Sequence, residues 1–266
     1  MTDAKDLPEI ILPDYEKPPL NELALGVHFE RLSSWQSRHV GQFWGEVRRE
    51  YPNTEDQPPI IDVQSGPRFE VLQLPPLRRT FLVSRDQTFV IQLQESKFLL
   101  NWRKMQPSDV YPRFNSVFNR FVGHWGQFSD FVGQEGVGTL KPARYELTYV
   151  NHIEQRSGEP VSSTVERYVK MFNWSMIKME FLPPPTGINT VWTFPMPESL
   201  GFAQANLSQG VRADGRAVLV LVMSCAGAAS EKLSLNDWFA ASHKWLGQGF
   251  KELTTDAARE EWGYKQ

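Results

Sequence analysis

Apolar and polar positions alternate with period two on both sides of a short break within Phe89–Trp102, which predicts a β-hairpin. A two-residue turn at Glu95 and Ser96 sets Leu93 opposite Phe98, Ile91 opposite Leu100 and Phe89 opposite Trp102, six apolar residues on one side. The other side then carries Val90, Gln92, Gln94, Lys97, Leu99 and Asn101, a set rich in neutral amides. A three-residue turn would set Phe98 against Gln94 and undo the sorting, so the register is readable from the pattern alone.

The same reasoning extends along the chain. Residues 1–20 hold Pro8, Pro13, Pro18 and Pro19 among acidic residues and read as an extended arm, either lying on the body or disordered. Leu23, Leu25, Val27 and Phe29 alternate as a strand with His28 on its other side. Val40, Phe43, Trp44, Val47 and Tyr51 recur at helical spacing, stopped by Pro52 and Asn53. Strands are expected at 60–64, 69–74 and 80–84, leading into the hairpin. Pro112 opens a long helix with Phe114, Val117, Phe118, Phe121, Trp125, Phe128 and Val132 on one face and His124 beside them. Residues 144–153 read as a long strand that sets Tyr145, Leu147, Tyr149, Asn151 and Ile153 against Glu146, Thr148, Val150 and His152.

After a polar stretch at 155–163, strands are expected at 164–172, 189–195, 202–211 and 216–224, with Asp214 and Gly215 turning between the last two. Ser234 and Asp237 read as the cap of a closing helix whose inner face holds Trp238, Ala241, Trp245, Leu246, Phe250 and Leu253. Thr255 caps a final short helix ending near Trp262. The expected fold class is α+β, antiparallel sheets backed by long amphipathic helices. The expected organisation is an arm at 1–20, an N-terminal half at 21–155 and a C-terminal half at 164–266, read as duplicated halves although no residue-level repeat joins them.

Composition narrows the chemistry. A net charge of −3 and only short basic pairs, such as Arg103-Lys104, disfavour nucleic acid as a partner. No run approaches the roughly 18 apolar residues of a membrane span, and the cytoplasm is the expected compartment. The single cysteine, Cys225, reads as a small buried residue. The five histidines show no metal-ligand spacing, and His152-x-Glu154 lacks the paired cysteines that a zinc deaminase needs. Neither a phosphate loop nor a nucleophile elbow is present. No catalytic residue, metal or cofactor is therefore assigned, and Glu146 with His152 is the only nominee for acid–base work.

What remains is neutral polar chemistry on strands: Gln92, Gln94, Asn101, Trp102, Arg103, Tyr149, Asn151 and His152 form the candidate binding set. Amides donate and accept but cannot transfer protons or attack, which suits recognition. An internal role, in which the amides satisfy one another, is the competing reading.

Leu12-Pro13-Asp14-Tyr15-Glu16-Lys17-Pro18-Pro19, Leu23-Ala24-Leu25-Gly26-Val27, Ile91-Gln92-Leu93-Gln94, Asn101-Trp102-Arg103-Lys104, Tyr111-Pro112 and Glu146-Leu147-Thr148-Tyr149-Val150-Asn151 follow one another in order. Together they resemble a sporadically distributed, uncharacterised bacterial family of about this length, over most of the first 155 residues and more weakly to Phe250 and Trp262. The resemblance implies mobile or defence-associated genes and supplies no catalytic residue. The leading expectation is a non-catalytic binding protein with a protein partner, in a phage-defence or toxin-neutralising module. A small-molecule receptor and an enzyme whose carboxylates converge only in the fold are the alternatives, and homo-oligomerisation stays open.

Overall fold

The computed structural model describes residues 12–58, 78–156, 158–171, 180–183, 185–197, 200–212 and 214–265. In chain order the elements are β1 (Asp14–Tyr15), β2 (Leu20–Phe29), α1 (Ser37–Val47), β3 (Asn53–Gln57), β4 (Arg79–Val83), β5 (Phe89–Gln94), β6 (Lys97–Arg103) and α2 (Phe114–Glu135). There follow β7 (Pro142–Glu154), α3 (Val161–Tyr168), β8 (Asn189–Pro195), β9 (Phe202–Val211), β10 (Ala217–Ala228), α4 (Leu235–Leu253), α5 (Asp256–Glu261) and β11 (Tyr264–Lys265). The fold is α+β. A nine-stranded antiparallel sheet runs in the order β3-β4-β5-β6-β2-β7-β10-β9-β8, and β1 pairs with β11 separately. The chain divides into two compact units, Glu22–Glu146 and, on either side of it, the residues up to Asn21 with those from Leu147 onward.

In the Glu22–Glu146 unit the hairpin has the register its pattern dictates: Leu93 opposes Phe98, Ile91 opposes Leu100 and Phe89 opposes Trp102. Leu93, Phe98, Ile91 and Leu100 are fully buried, and α2 lies over them. Phe98 meets Phe121, Trp125 and Phe128 of that helix with ring centroids 6.2, 5.6 and 5.2 Å away. Gly136 ends α2 in the left-handed conformation, at φ +60°, which glycine enters without steric cost. The inner face of α2 is wider than the stripe of apolar spacing, because Phe131 and His124 are buried on it as well. In α1 the buried residues are Phe43, Val47 and His39, whose Nδ1 accepts the Gln36 backbone N–H at 2.9 Å and so satisfies a free donor at the helix start.

In the other unit β8, β9 and β10 pair consecutively, from Asn189↔Ser208 to Pro195↔Phe202 and from Ala217↔Val211 to Ala226↔Phe202. Alternate residues Ala203, Ala205, Leu207, Leu221, Met223 and Cys225 are buried on the side that faces α4. Ser234 caps α4 by accepting the Asp237 N–H at 3.1 Å, and Thr255 caps α5 by accepting the Ala258 N–H at 3.1 Å. The described end of the N-terminal arm is tied down. β1 pairs with β11, and the Tyr15 ring sits 5.6 Å from Phe250 and 5.5 Å from Tyr264.

Three local expectations are corrected. The strand expected at 164–172 is the helix α3 up to Tyr168. The β-branched Thr164 and Val165 suit a strand, yet Val161, Val165 and Tyr168 bury one helical face, and packing overrides a weak propensity. Phe172 lies outside the described residues, as do the strands expected at 60–64 and 69–74. Pro112 does not open α2: Arg113 intervenes at φ +70° and the helix begins at Phe114. Residues 53–57, expected only to end a helix, form the edge strand β3, whose uniformly polar sequence gives no alternation to read.

A close approach locks the α4 end of its unit. A Cβ on Gly227 would lie 2.1 Å from the Leu200 carbonyl oxygen and 2.6 Å from Trp238 Nε1, the atom that donates to that same carbonyl at 3.1 Å. The Gly227→Ala variant is expected to lose about 2 kcal/mol or more of stability, read as a lower urea midpoint.

Candidate functional site

The polar side of the hairpin in the Glu22–Glu146 unit is an internal chain of hydrogen bonds across four strands. Arg79 Nη1 on β4 donates to Gln92 Oε1 on β5 at 3.0 Å, and Gln92 Nε2 donates to Asn101 Oδ1 on β6 at 2.8 Å. Asn101 Nδ2 then donates to Glu22 Oε1 on β2. Register explains the diagonal: Gln92 opposes Leu99 while Asn101 opposes Val90, and side chains two residues off the direct pair are within reach. Each amide accepts from the guanidinium side and donates toward the carboxylate, so the dipoles align and reinforce one another. Burial lowers the Arg79 pKa, against which the Glu22 charge acts. Gln92, Gln94, Asn101 and Lys97 are all buried.

The same strand face continues to an imidazole–carboxylate pair. His28 Nε2 lies 2.9 Å from Glu146 Oε2, and Arg144 Nη2 lies 3.0 Å from His28 Nδ1. The guanidinium can only donate, so Nδ1 is the acceptor and Nε2 carries the proton given to Glu146. Burial pushes the Glu146 carboxyl up. The His28 hydrogen bond, with the charges of Arg144 and Lys97, outweighs that and holds it below the usual range. Gly26, beside this pair, leaves room for Leu99: a Cβ there would lie 3.0 Å from the Leu99 side chain. Both ring nitrogens of His28 are engaged, so the pair neutralises and orients charge and presents no open base to a substrate.

Two of the remaining candidates serve the core of the other unit. The Tyr149 hydroxyl lies 2.7 Å from His243 Nδ1 on α4, with the rings stacked at 6.1 Å, and Asn151 Nδ2 donates to the Leu221 carbonyl at 3.1 Å. Burial, with Lys244 nearby, pushes His243 down to about 4, so it is neutral and accepts the phenolic proton. Trp102 is a core residue of the first unit against Tyr111 at 5.3 Å, and Arg103 Nε donates to the Gln87 carbonyl at 2.9 Å.

His152 is placed differently. It alternates with the buried residues of β7 and shares its side of that strand with Thr148 and Val150, all half-buried. On β8, β9 and β10 the side turned away from α4 shows Val191, Thr193, Gln204, Asn206, Val220, Val222 and Ser224, half-buried or exposed. No charged residue interrupts that face between the two ends of these three strands; Glu154, Arg212 and Arg216 bond to one another by the β9–β10 turn. Burial and the Arg212 charge both lower the His152 pKa, keeping it neutral too.

Of the eight sequence candidates, then, Gln92 and Asn101 join one network, and His152 is half-buried on β7 with its Nδ1 buried and without a hydrogen-bond partner among the described residues. Sequence reasoning missed Glu22, Arg79, His28 and Arg144 because each lies on a different strand from its partner, and only the strand order brings them together. Among the described residues no three His, Cys, Asp or Glu side chains are grouped to hold a metal ion. No family model and no curated protein matches the chain.

Two measurements check these assignments. Gln92→Ala leaves Arg79 and Asn101 short of a partner and is expected to cost about 1–3 kcal/mol, with coupling to Asn101→Ala in a double-mutant cycle. For His243 the unfolded chain takes up a proton near 6.5 while the folded chain waits until about 4. Its contribution is full above pH 6.5 and is lost as pH falls toward 4, so urea midpoints should drop across that window. His243→Phe should flatten that slope.

Proposed function

We propose that this chain is a non-catalytic binding protein that docks a protein partner on the uncharged sheet face of its Leu147-onward unit. The observation that carries the reading is the distribution of polar chemistry. On one face of the Glu22–Glu146 sheet, polar and charged side chains bond to one another, whereas the face of β8, β9 and β10 turned away from α4 offers valines, hydroxyls and amides. Such a surface can be covered without desolvating a charge, the condition under which interface burial is cheapest. The absence of an open base at His28 speaks against the enzyme reading, with Glu146 already committed to that imidazole.

The family resemblance makes a component of a toxin or phage-defence module the first class of partner to try. A small-molecule receptor remains the second reading, supported by the neutral His152 among amides and hydroxyls on this same face.

Affinity purification of the chain from its native host, beside a Val222→Lys variant, tests the proposal. A stoichiometric protein that accompanies the first and is lost from the second, with circular dichroism unchanged, is the expected result. Recovery of no stoichiometric protein, or recovery undiminished by the lysine, overturns it. A thermal shift produced by a metabolite library would favour the receptor instead.

A further inference from the structure

The described end of the N-terminal arm fills a cleft built by the last segment of the chain, within one compact unit. Asp14 and Tyr15 pair with Lys265 and Tyr264, and the Glu16 and Lys17 N–H groups donate to the Gly263 and Trp262 carbonyls, each at 3.0 Å. Tyr15 is buried, its ring 5.6 Å from Phe250, 6.3 Å from Trp262 and 5.5 Å from Tyr264. Gly247 of α4 leaves room for the approach, since a Cβ there would lie 3.0 Å from the Leu12 side chain. Each of these contacts runs between residues 12–17 and residues 247–265, so a second copy presents the same cleft to the same arm. The ladder is two residues long and separate from the nine-stranded sheet, the kind of local unit that opens at low cost.

We propose that two copies of this chain exchange arms, residues 12–17 of each seated in the cleft of the other. Every hydrogen bond and ring contact listed above for one copy is regained between copies, so exchange costs little in contact energy. The link to β2 favours it. Lys17 is held by Trp262, the Pro19 carbonyl accepts the His152 N–H at 2.8 Å, and Pro18 is the one residue between them. Both prolines fix their own φ, and a hinge this short and stiff invites opening and exchange. The inference goes beyond the docking face, for it concerns the arm and its cleft and stands whether or not a different protein binds the sheet.

Disulfide trapping between two singly substituted full chains tests it. Asp14→Cys in one chain and Lys265→Cys in the other occupy partner positions of β1 and β11, and the native Cys225 is buried. After prolonged mixing at about 100 μM and mild oxidation, a cross-linked heterodimer is expected, above the level of linked dimer that either variant forms by itself. Its mass is near twice the 30.6 kDa of one chain. Tyr15→Ala, added to the Asp14→Cys chain, removes the ring that seats the arm and is expected to cut the heterodimer about tenfold or more. Gly-Ser-Gly-Ser inserted between Pro18 and Pro19 lets each arm close on its own copy and is expected to lower the heterodimer by a similar factor. If circular dichroism shows that Tyr15→Ala unfolds the chain, the longer hinge decides. No heterodimer above the single-variant level, or one undiminished by Tyr15→Ala in a folded chain or by the longer hinge, overturns the proposal.

Discussion

The two-residue turn at Glu95 and Ser96 sets the register on which the Glu22–Glu146 unit rests. Its carbonyls are not left to solvent: Ser96 O accepts the Phe29 N–H at 2.9 Å, Glu95 O accepts the Leu32 N–H at 3.4 Å, and the Glu95 carboxylate pairs with Arg31 at 3.0 Å. The end of β2 therefore holds the turn in place. Side chains alternate faces with period two, so a slip by one residue would turn Phe98 and Leu100 away from α2 and drive Gln92 and Asn101 into its aromatic face. Burial of an unpaired amide is costly enough to make that alternative uncompetitive.

The same register gives the polar face its order. Gln92 and Asn101 meet only because they sit one step off the direct cross-strand pair, and the line they begin ends on Arg79 and Glu22. A guanidinium at one end and a carboxylate at the other make every intervening dipole point one way. Both amides and Arg79 Nη1 are engaged in that line, while Arg79 Nε is buried without a hydrogen-bond partner among the described residues. In this unit the polar side chains thus act as internal structure, and His28, clamped between Glu146 and Arg144, belongs to the same economy of charge. In the other unit, β8, β9 and β10 carry no charged side chain on the face turned away from α4.

Much of the secondary structure was legible because its signals are local. The hairpin register, the strand limits of β8 and β9, and the Ser234 and Thr255 caps all follow from alternation or capping within a few residues. Where local signals disagree with packing the reading failed: Thr164 and Val165 look like strand residues but help bury one face of α3, and acidic β3 has no apolar face to reveal it. The candidate site was legible only in residue type. Amides on strands could be named, but whether they look outward or bond inward depends on neighbours far along the chain.

The sequence by itself determined which hairpin residues alternate, where α4 and α5 are capped, and that the five histidines and single cysteine lack local metal-binding motifs, since each of these is a short-range pattern of side-chain volume and polarity. Only the tertiary structure decided that Gln92 and Asn101 are spent internally, that His28 and Glu146 share a proton donor and acceptor across 118 residues, and that His152 sits half-buried on β7. The reason is strand order: hydrogen bonding between strands joins residues distant in sequence, and no periodicity within one strand encodes which strand lies beside it.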